Sequence, residues 1–281
     1  MSEYVNYNGQ VLRKDKINIS PDNRSFRYGD GCFETIRLCN GQIPLREFHF
    51  ERLFSSLKLL KFKLPEYFTP QELPEQITAL ANKNGHNLSA RIRLTIFRGD
   101  GGLYDLEDLT LNYIIQSFSL MPYGPTLNEK GLVIDFYKDA IKCCDYFSHI
   151  KSNNFLPYVM ASIWAKENHL DDSLLLNAYG NVADATIANV FIVRNGQLQT
   201  PFIADGGING VMRRYIIKCV KEEGMPFTET SLSPEDILKA SEVFLTNAVQ
   251  GIKWAKQVGK NNYDCGLAEV LHTKFIVPLF S

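Results

Sequence analysis

A single lysine stands out in the segment HIKSNNFL, which covers residues 149–156. Lys151 is the only formally charged side chain between Asp145 and Lys166, and its neighbours are aromatic, aliphatic and small amide residues. A neutral lysine amine is a nucleophile that can form a Schiff base with a carbonyl compound. Because most lysines instead carry their charge to solvent, Lys151 indicates a catalytic amine only if other features agree.

The residues after this lysine, NNFLPYVMASIWAKENHL, have the pattern of a helix. Pro157 falls in the first turn, where proline is tolerated, and Asn154 is the expected N-cap. The positive end of the helix dipole and burial in an apolar stretch both disfavour an ammonium. We therefore predict that Lys151 presents a neutral, nucleophilic amine.

Pyridoxal phosphate, which reacts with such an amine, also needs phosphate anchors and a carboxylate that faces its ring nitrogen. The glycine-rich loop 206–210 leads into a helical pattern and can aim backbone N–H groups at a phosphate. Asp184 lies at a strand-like turn, five residues before Asn189. His49 and Arg52 are three residues apart, hence on one helical face. Each pattern alone is usually a turn, a cap or a solvated surface, so the prediction rests on their combination.

The overall composition excludes several classes of partner. The chain of 281 residues has 30 basic and 31 acidic side chains, so no global positive field would attract nucleic acid or anionic lipid. The first residues, MSEYVNYNGQ, do not resemble a secretory signal, and no apolar run approaches the roughly 20 residues that span a membrane. The six cysteines show no C-x-x-C spacing. We expect a reduced, cytoplasmic protein without a metal site.

The elements that must position these residues alternate between strands and helices. Asn-Gly pairs at residues 8–9, 40–41 and 195–196 lie between apolar runs and predict hairpin turns. Helical spacing or strand-like alternation of apolar residues marks five further segments. These segments predict helices at 45–62 and 70–84 and strands at 89–99, 110–121 and 131–139.

Prolines and a glycine interrupt this pattern at residues 122–125. We therefore predict a linker at residues 122–127. It separates a smaller N-terminal α+β domain, residues 1–121, from a larger C-terminal α/β-like domain, residues 128–281.

The order of these motifs resembles that of the class IV, or fold type IV, pyridoxal-phosphate enzymes. The resemblance runs from YGDGCFETIR to TNAVQGI, which is most of the chain. The family contains branched-chain aminotransferases, D-amino acid aminotransferases and 4-amino-4-deoxychorismate lyases. It implies a two-domain α+β fold like that of D-amino acid aminotransferase, pyridoxal 5'-phosphate as cofactor, a small amino substrate that bears carboxylates, and a homodimer.

The resemblance also implies roles for individual residues. Lys151 would form the Schiff base and shuttle protons, and Arg52 would bind the phosphate. Asp184, where the family usually has glutamate, would pair with the ring nitrogen, with Asn189 in support. The remaining implied roles are Thr35 as a second catalytic residue, Glu34 at the substrate, and Val211, Met212, Asn247 and Ala248 at the phosphate.

Two loops favour a lyase over an aminotransferase within this family. Branched-chain aminotransferases commonly have G-I-T-R in the first and Gly-Thr in the second, whereas this chain has GVMR at residues 210–213 and Asn247-Ala248. GDGCF and RGDGG are also similar to the lyases, while Glu34 is common in the transaminases. We predict an aminodeoxychorismate lyase, which releases pyruvate and 4-aminobenzoate in folate biosynthesis. An aminotransferase for branched-chain or D-amino acids is the alternative.

The predicted strand at residues 89–99 carries three arginines that suit carboxylates. Arg91 and Arg93 share one face, whereas Arg98 has the opposite parity. Aminodeoxychorismate has two carboxylates, and arginine can bind each of them bidentately. We expect these arginines to bind substrate, although a solvated sheet face and a glutamate substrate fit the pattern as well. A non-catalytic relative that binds a phosphorylated metabolite is a distant alternative, which the intact Lys151 disfavours.

Overall fold

Two compact units make up the protein. The first comprises Met1–Gly124 and Lys151–Asn154, and the second comprises Pro125–Ile150 and Phe155–Ser281. Helices and strands mix in both, which confirms the predicted α+β class. Pro122 and Tyr123, which belong to the predicted linker, lie outside the described residues. The structure is a computed structural model that describes residues 3–102, 104, 109–121 and 124–280.

An antiparallel sheet forms the frame of the first unit. Its strands and helices are β1 (Tyr4–Tyr7), β2 (Gln10–Arg13), α1 (Arg24–Tyr28), β3 (Gly31–Cys39), α2 (Arg46–Leu59), α3 (Glu72–Lys83), β4 (Ser89–Arg98) and β5 (Leu111–Ser119). The five strands have the order β2-β1-β5-β4-β3, so β3 lies at an edge. Of the apolar residues at helical spacing in this segment, helix α2 buries Phe50, Leu53 and Leu57, whereas Leu60 is the half-buried C-cap. The predicted helices and strands of this unit are therefore confirmed, with ends that differ by up to three residues.

A mixed sheet of nine strands forms the second unit. Its elements are β6 (Leu132–Lys142), α4 (Leu156–Glu167), β7 (Asp172–Asn177), β8 (Val182–Ala185), β9 (Asn189–Arg194), β10 (Gln197–Thr200), α5 (Val211–Glu222), β11 (Phe227–Glu229), α6 (Pro234–Leu238), β12 (Glu242–Asn247), β13 (Gly251–Val258), β14 (Asn261–Asn262), α7 (Leu267–Leu271) and α8 (Val277–Leu279). The strand order is β11-β10-β9-β12-β13-β6-β7-β8, with β14 beside β13. None of the described helices is long and apolar enough to cross a membrane.

All three Asn-Gly pairs form turns with positive φ at both residues. Asn8-Gly9 joins β1 to β2, and Asn195-Gly196 joins β9 to β10, as predicted for hairpins. The third pair differs, because Asn40-Gly41 closes only an isolated bridge between Cys39 and Gln42. A hairpin there would need a second strand after residue 42, and helix α2 begins at Arg46 instead.

Helix α4 begins later than predicted. Its N-cap is Phe155, which makes no side-chain cap, so the prediction of Asn154 as N-cap is wrong. The physical reason is that residues 151–154 pack in the first unit. The Asn154 amide lies so close to Gly29 that a Cβ on that glycine would be 2.3 Å from Oδ1. Pro157 does lie in the first turn, as predicted.

Candidate active site

Lys151 lies beside the edge strand β3 of the first unit. Its carbonyl accepts a hydrogen bond from the Phe33 N–H at 2.9 Å. Its Nζ is 4.5 Å from the centroid of the Phe33 ring. The residue is half-buried, so its amine is held against an aromatic face without being sealed from solvent. Thr35 follows two residues along β3 and therefore shares the Phe33 side of this strand.

The opposite side of β3 carries a buried carboxylate. Glu34 is 1% exposed, and it accepts hydrogen bonds from Arg52 Nε at 2.7 Å and Arg52 Nη2 at 2.6 Å. His49 Nδ1 lies 2.9 Å from Glu34 Oε2. Two parallel bonds fix the plane of the guanidinium. Glu34 therefore positions Arg52, and its hydrogen bonds give no support to the predicted contact with substrate.

His49 and Arg52 do share one face of helix α2, as their spacing predicts. Such a pair usually lies on the solvent-exposed face of a helix, but here both side chains are buried: His49 is 1% and Arg52 is 8% exposed. Burial of two polar side chains is costly unless each is paired. The shared carboxylate of Glu34 meets that requirement.

Burial and the charges in this cluster shift the pKa values of Glu34 and His49. Burial alone would raise the pKa of Glu34, but the positive charge of Arg52 and the hydrogen bonds from His49 and Arg52 lower it to about 2. Burial lowers the pKa of His49, against an opposing effect of Glu34, and the charges of Arg52 and Lys151 lower it further. At neutral pH the cluster therefore holds an ionised carboxylate beside a neutral imidazole.

Arg93 is the predicted substrate arginine that contacts the same aromatic ring as Lys151. Its guanidinium carbon lies 3.8 Å from the centroid of the Phe33 ring, which Lys151 also contacts. Arg93 pairs in register with Thr35, and its Nε donates to Thr95 Oγ1 at 3.2 Å. No acidic side chain among the described residues pairs with this half-buried arginine. It has guanidinium donors left for an anionic ligand.

The other two arginines of strand β4 have different surroundings. Arg91 is exposed, and its guanidinium lies 4.6 Å from the centroid of the Phe118 ring. Arg98 is 4% exposed and donates to the carboxylate of Asp30 and to the carbonyl of Leu60. Its opposite parity, which the sequence analysis noted, takes it away from the Arg93 face. The structure therefore does not bring Arg98 together with Arg93.

Asp184 is the buried carboxylate of the second unit. It lies within strand β8 and is 2% exposed. Its Oδ1 accepts from Asn189 Nδ2 at 3.0 Å, and its Oδ2 accepts from the Ile208 N–H at 2.9 Å. Hydrogen bonds of this kind favour the ionised form of a carboxylate. Asp184 is thus held in place as an acceptor.

Asn189 links this carboxylate to the glycine-rich loop. Its Nδ2 also donates to the Ile208 carbonyl at 2.7 Å. A Cβ on Gly210 would lie 1.8 Å from Asn189 Oδ1, so only glycine fits at that position. The supporting role implied for Asn189 is consistent with this packing, and the close approach explains one glycine of the loop.

Two residues near Asp184 were missed by the sequence analysis. The Tyr158 hydroxyl lies 3.5 Å from Asp184 Oδ2, and burial followed by the Asp184 charge raises the pKa of Tyr158. Lys142 Nζ lies 5.3 Å from the centroid of the Tyr158 ring. The pKa of Lys142 is lowered, because burial outweighs the opposing effect of the Asp184 charge. Only tertiary packing joins these residues, since they stand on β6, α4 and β8.

The first predicted phosphate loop ends at the N-terminus of helix α5. Gly210 is the N-cap and makes no side-chain cap, and Val211 and Met212 are the first two helical residues. Their N–H groups find no acceptor among the described residues. Uncapped N–H groups at a helix N-terminus bind anions readily. Met212 is fully buried, so it can offer only its backbone to a phosphate.

The second predicted phosphate loop follows strand β12. Asn247 Oδ1 accepts from the N–H groups of Val249 at 3.0 Å and Gln250 at 2.8 Å, which closes the turn around Ala248. The side chain of Asn247 is therefore engaged within the loop. Thr246 is 1% exposed, and its hydroxyl has no hydrogen-bond partner among the described residues.

The groups in the second unit fit pyridoxal phosphate. The cofactor is a pyridine derivative that carries a dianionic phosphate and has a basic ring nitrogen. An uncapped helix N-terminus suits the phosphate, and the buried carboxylate of Asp184 suits a protonated nitrogen. In the first unit, Lys151 has an amine and Arg52 a guanidinium, the groups that the sequence predicts for this cofactor.

Comparison with known proteins gives consistent matches. The sequence model of the family described as amino-transferase class IV matches residues 31–258. A putative branched-chain-amino-acid aminotransferase of Methanocaldococcus jannaschii is 31% identical, over 87% of this chain and 84% of that protein. An aminodeoxychorismate lyase of Vibrio harveyi is 29% identical, over 82% of this chain and 83% of that protein.

A solved structure has the same fold. The branched-chain aminotransferase of Thermoproteus uzoniensis aligns with a TM-score of 0.89 and 24% identity, over 100% of this chain and 95% of that chain. At this identity the likeness bears on the fold alone. The two sequence relatives differ in the activities that their names give.

The buried cluster generates a stability prediction. Glu34→Gln removes the negative charge and leaves the Arg52 guanidinium buried without a counter-charge. Breaking a buried pair in this way costs about 3 kcal/mol. We expect that loss in the free energy of unfolding by urea at pH 7. Glu47→Gln, on the exposed side of helix α2, which carries Arg52, is the control and should change it by less than about 1 kcal/mol. Equal effects of the two variants would show that the Glu34 charge is unimportant.

The same pair predicts a pH dependence with a definite sign. The Glu34 pKa is about 2 in the folded protein, below its ordinary value of 4.5. The stabilisation by the ionised form is therefore complete above pH 4.5 and is lost as the pH falls toward 2. The stability difference between wild type and Glu34→Gln should shrink over that window. A difference that stays constant down to pH 2.5 would contradict the depressed pKa.

Proposed function

This chain belongs to the class IV aminotransferases, a family of pyridoxal-phosphate-dependent enzymes, and we propose that it is a 4-amino-4-deoxychorismate lyase. The observation that carries the proposal is that both phosphate loops lack a side-chain hydroxyl where the aminotransferases commonly have threonine. Met212 is buried and Ala248 has no hydroxyl, so both can offer only backbone groups. The Vibrio harveyi lyase, at 29% identity, supports the same choice.

In this proposal the residues divide the chemistry among themselves. Lys151 carries the cofactor and removes the proton from the substrate carbon that bears nitrogen. Arg52 and the N–H groups of Val211 and Met212 hold the phosphate. Asp184 keeps the ring nitrogen protonated, and when bound, the cofactor supplies the electron sink for the deprotonated substrate. Loss of pyruvate then aromatises the substrate ring to 4-aminobenzoate.

The substrate would be recognised through its carboxylates. Arg93 is our choice for one of them, because it has no acidic partner among the described residues and shares the Phe33 ring with Lys151. Arg91 is a weaker candidate because it is exposed. Arg98 remains a prediction from the sequence, although its donors are engaged elsewhere. Thr35 remains a proposed catalytic residue on the same side of β3 as Phe33.

The second candidate function is an aminotransferase for branched-chain or D-amino acids. The Methanocaldococcus jannaschii relative, at 31% identity, favours it. Glu34, which is common in the transaminases, also favours it. Both reactions use Lys151, Asp184 and Arg52 in the same roles, so these residues do not separate them. They differ in the fate of the deprotonated substrate.

Two further features belong to the proposal. A non-catalytic, metabolite-binding relative would have no need of the amine at Lys151, which makes that alternative the weakest. We also propose a cytoplasmic homodimer, by resemblance to the family, with a small amino and carboxylate-bearing molecule as substrate. Nucleic acid is not among the proposed partners because the 30 basic and 31 acidic residues balance.

Asp184→Asn tests the role of the buried carboxylate. Without a negative partner the ring nitrogen loses its proton, so we expect turnover with saturating substrate and cofactor to fall by at least about 100-fold, or about 2.7 kcal/mol in the barrier. Asp172→Asn is the control, because Asp172 is also buried but accepts hydrogen bonds from Ser173 and Thr186. That variant should lower stability without this loss of turnover. Turnover of Asp184→Asn within about threefold of wild type would make Asp184 structural.

The choice between lyase and aminotransferase is tested without any amino acceptor. We expect the purified protein, supplied with pyridoxal phosphate and aminodeoxychorismate alone, to release pyruvate and 4-aminobenzoate over many turnovers. A transaminase stops after one half-reaction because it needs a keto acid to regenerate its cofactor. Lys151→Ala is the control and should release neither product. Multiple turnovers with an amino acid and a keto acid, without pyruvate from aminodeoxychorismate, would establish the aminotransferase instead.

A further inference from the structure

We propose that Asn153 is a positioning residue that fixes Lys151 to the open edge of strand β3. This inference rests on the proposed role of Lys151 as the amine that carries the cofactor. The sequence pattern alone predicts that the helix after Lys151 dominates its surroundings. In the structure, residues 151–154 instead pack in the first unit, and their contacts there are specific.

Backbone pairing is the first part of the attachment. The Phe33 N–H donates to the Lys151 carbonyl at 2.9 Å, and the Asn153 N–H donates to the Gly31 carbonyl at 3.0 Å. Between these bonds, Cys32 and Ser152 form an antiparallel bridge. Because β3 is an edge strand, these residues continue the sheet beyond it. The backbone of Lys151 is thereby fixed relative to Phe33, against whose ring its amine lies.

The Asn153 side chain is the second part of the attachment. Its Nδ2 donates to Ser25 Oγ at 2.9 Å and to the Ile96 carbonyl at 3.3 Å. Ser25 lies on helix α1 and Ile96 on strand β4, so one amide joins the segment to two further elements. Two backbone bonds alone form a weak pairing, and this side chain adds the contacts that make it specific.

Gly31 shows how closely the segment fits. A Cβ at this position would lie 2.5 Å from Asn153 Nδ2 and 2.2 Å from the Ile96 carbonyl oxygen. Real Cβ atoms do not approach so closely, so only glycine leaves room for the amide of Asn153 beside β4. The glycine at the start of β3 and the asparagine two residues after Lys151 therefore depend on each other.

For the proposed chemistry, the consequence is that the pairing with β3 fixes the backbone of Lys151 and thereby limits where its amine can lie. A reacting group that is held in place avoids the loss of freedom that otherwise slows the reaction. With the segment attached, only the Lys151 side chain remains to move. Without Asn153, the backbone bonds to Phe33 and Gly31 open more often, and the amine spends less time in its reactive position.

Asn153→Ala in the full-length protein tests this inference with two readouts. The first is hydrogen exchange of the Phe33 amide, which donates to Lys151. The second is the rate at which the cofactor-free protein gains visible absorbance when pyridoxal phosphate is added. Loss of about two hydrogen bonds predicts about tenfold faster exchange and attachment that is slower by about threefold to tenfold. Ser152→Ala is the matched control, since its side chain makes no hydrogen bond among the described residues, and should leave both unchanged.

Each result bears on the proposal. Faster exchange together with slower attachment in Asn153→Ala alone supports it. Unchanged exchange, unchanged attachment, or equal changes in Ser152→Ala would overturn it. If Asn153→Ala does not fold, Ser25→Ala removes one partner of the same amide and should give a smaller change in the same directions. Failure of the wild-type protein to attach the cofactor at Lys151 would refute the proposed function instead, and the exchange readout would then decide the attachment to β3 alone.

Discussion

A charge that is buried in a protein must meet an opposite charge or a set of hydrogen bonds, and this constraint organises both units. In the first, the Glu34 carboxylate holds Arg52 through two bonds and His49 through one. In the second, Asp184 is held by Asn189 and by the Ile208 N–H. Each carboxylate is therefore held in place by other groups of its own unit.

This constraint also explains why Glu34 and Arg52 are paired. The bidentate bond orients Arg52, and an oriented guanidinium loses little freedom when it binds a phosphate. In the proposed site, Glu34 would act by orienting Arg52 and would not itself bind the phosphate. The strand that carries Glu34 presents Phe33 on its other side, against which Lys151 lies. Strand β3 therefore positions two groups of the proposed site from its two faces.

The sequence predicted local features well and tertiary partners poorly. The helical spacing of His49 and Arg52 predicted their shared face, but their partner Glu34 is 15 residues from His49 in the chain, and no local pattern reveals that contact. The alternation of side chains along the strand predicted that Arg98 and Arg93 lie on opposite faces. The hydrogen bond from Arg98 to Asp30 could not be predicted, because it depends on the tertiary fold. The helix after Lys151 was predicted correctly, whereas the edge pairing that delays its start was not. Family resemblance supplied the roles that neither spacing nor composition could.

All the proposed chemistry depends on Lys151 as the amine that binds the cofactor. The most direct test is to incubate the protein with pyridoxal phosphate, reduce it with borohydride, digest it with trypsin and locate the modified peptide by mass spectrometry. We expect a single stable adduct on Lys151, with loss of the visible absorbance on reduction. An adduct on Lys142, the half-buried lysine beside Tyr158, or the absence of any adduct would contradict it.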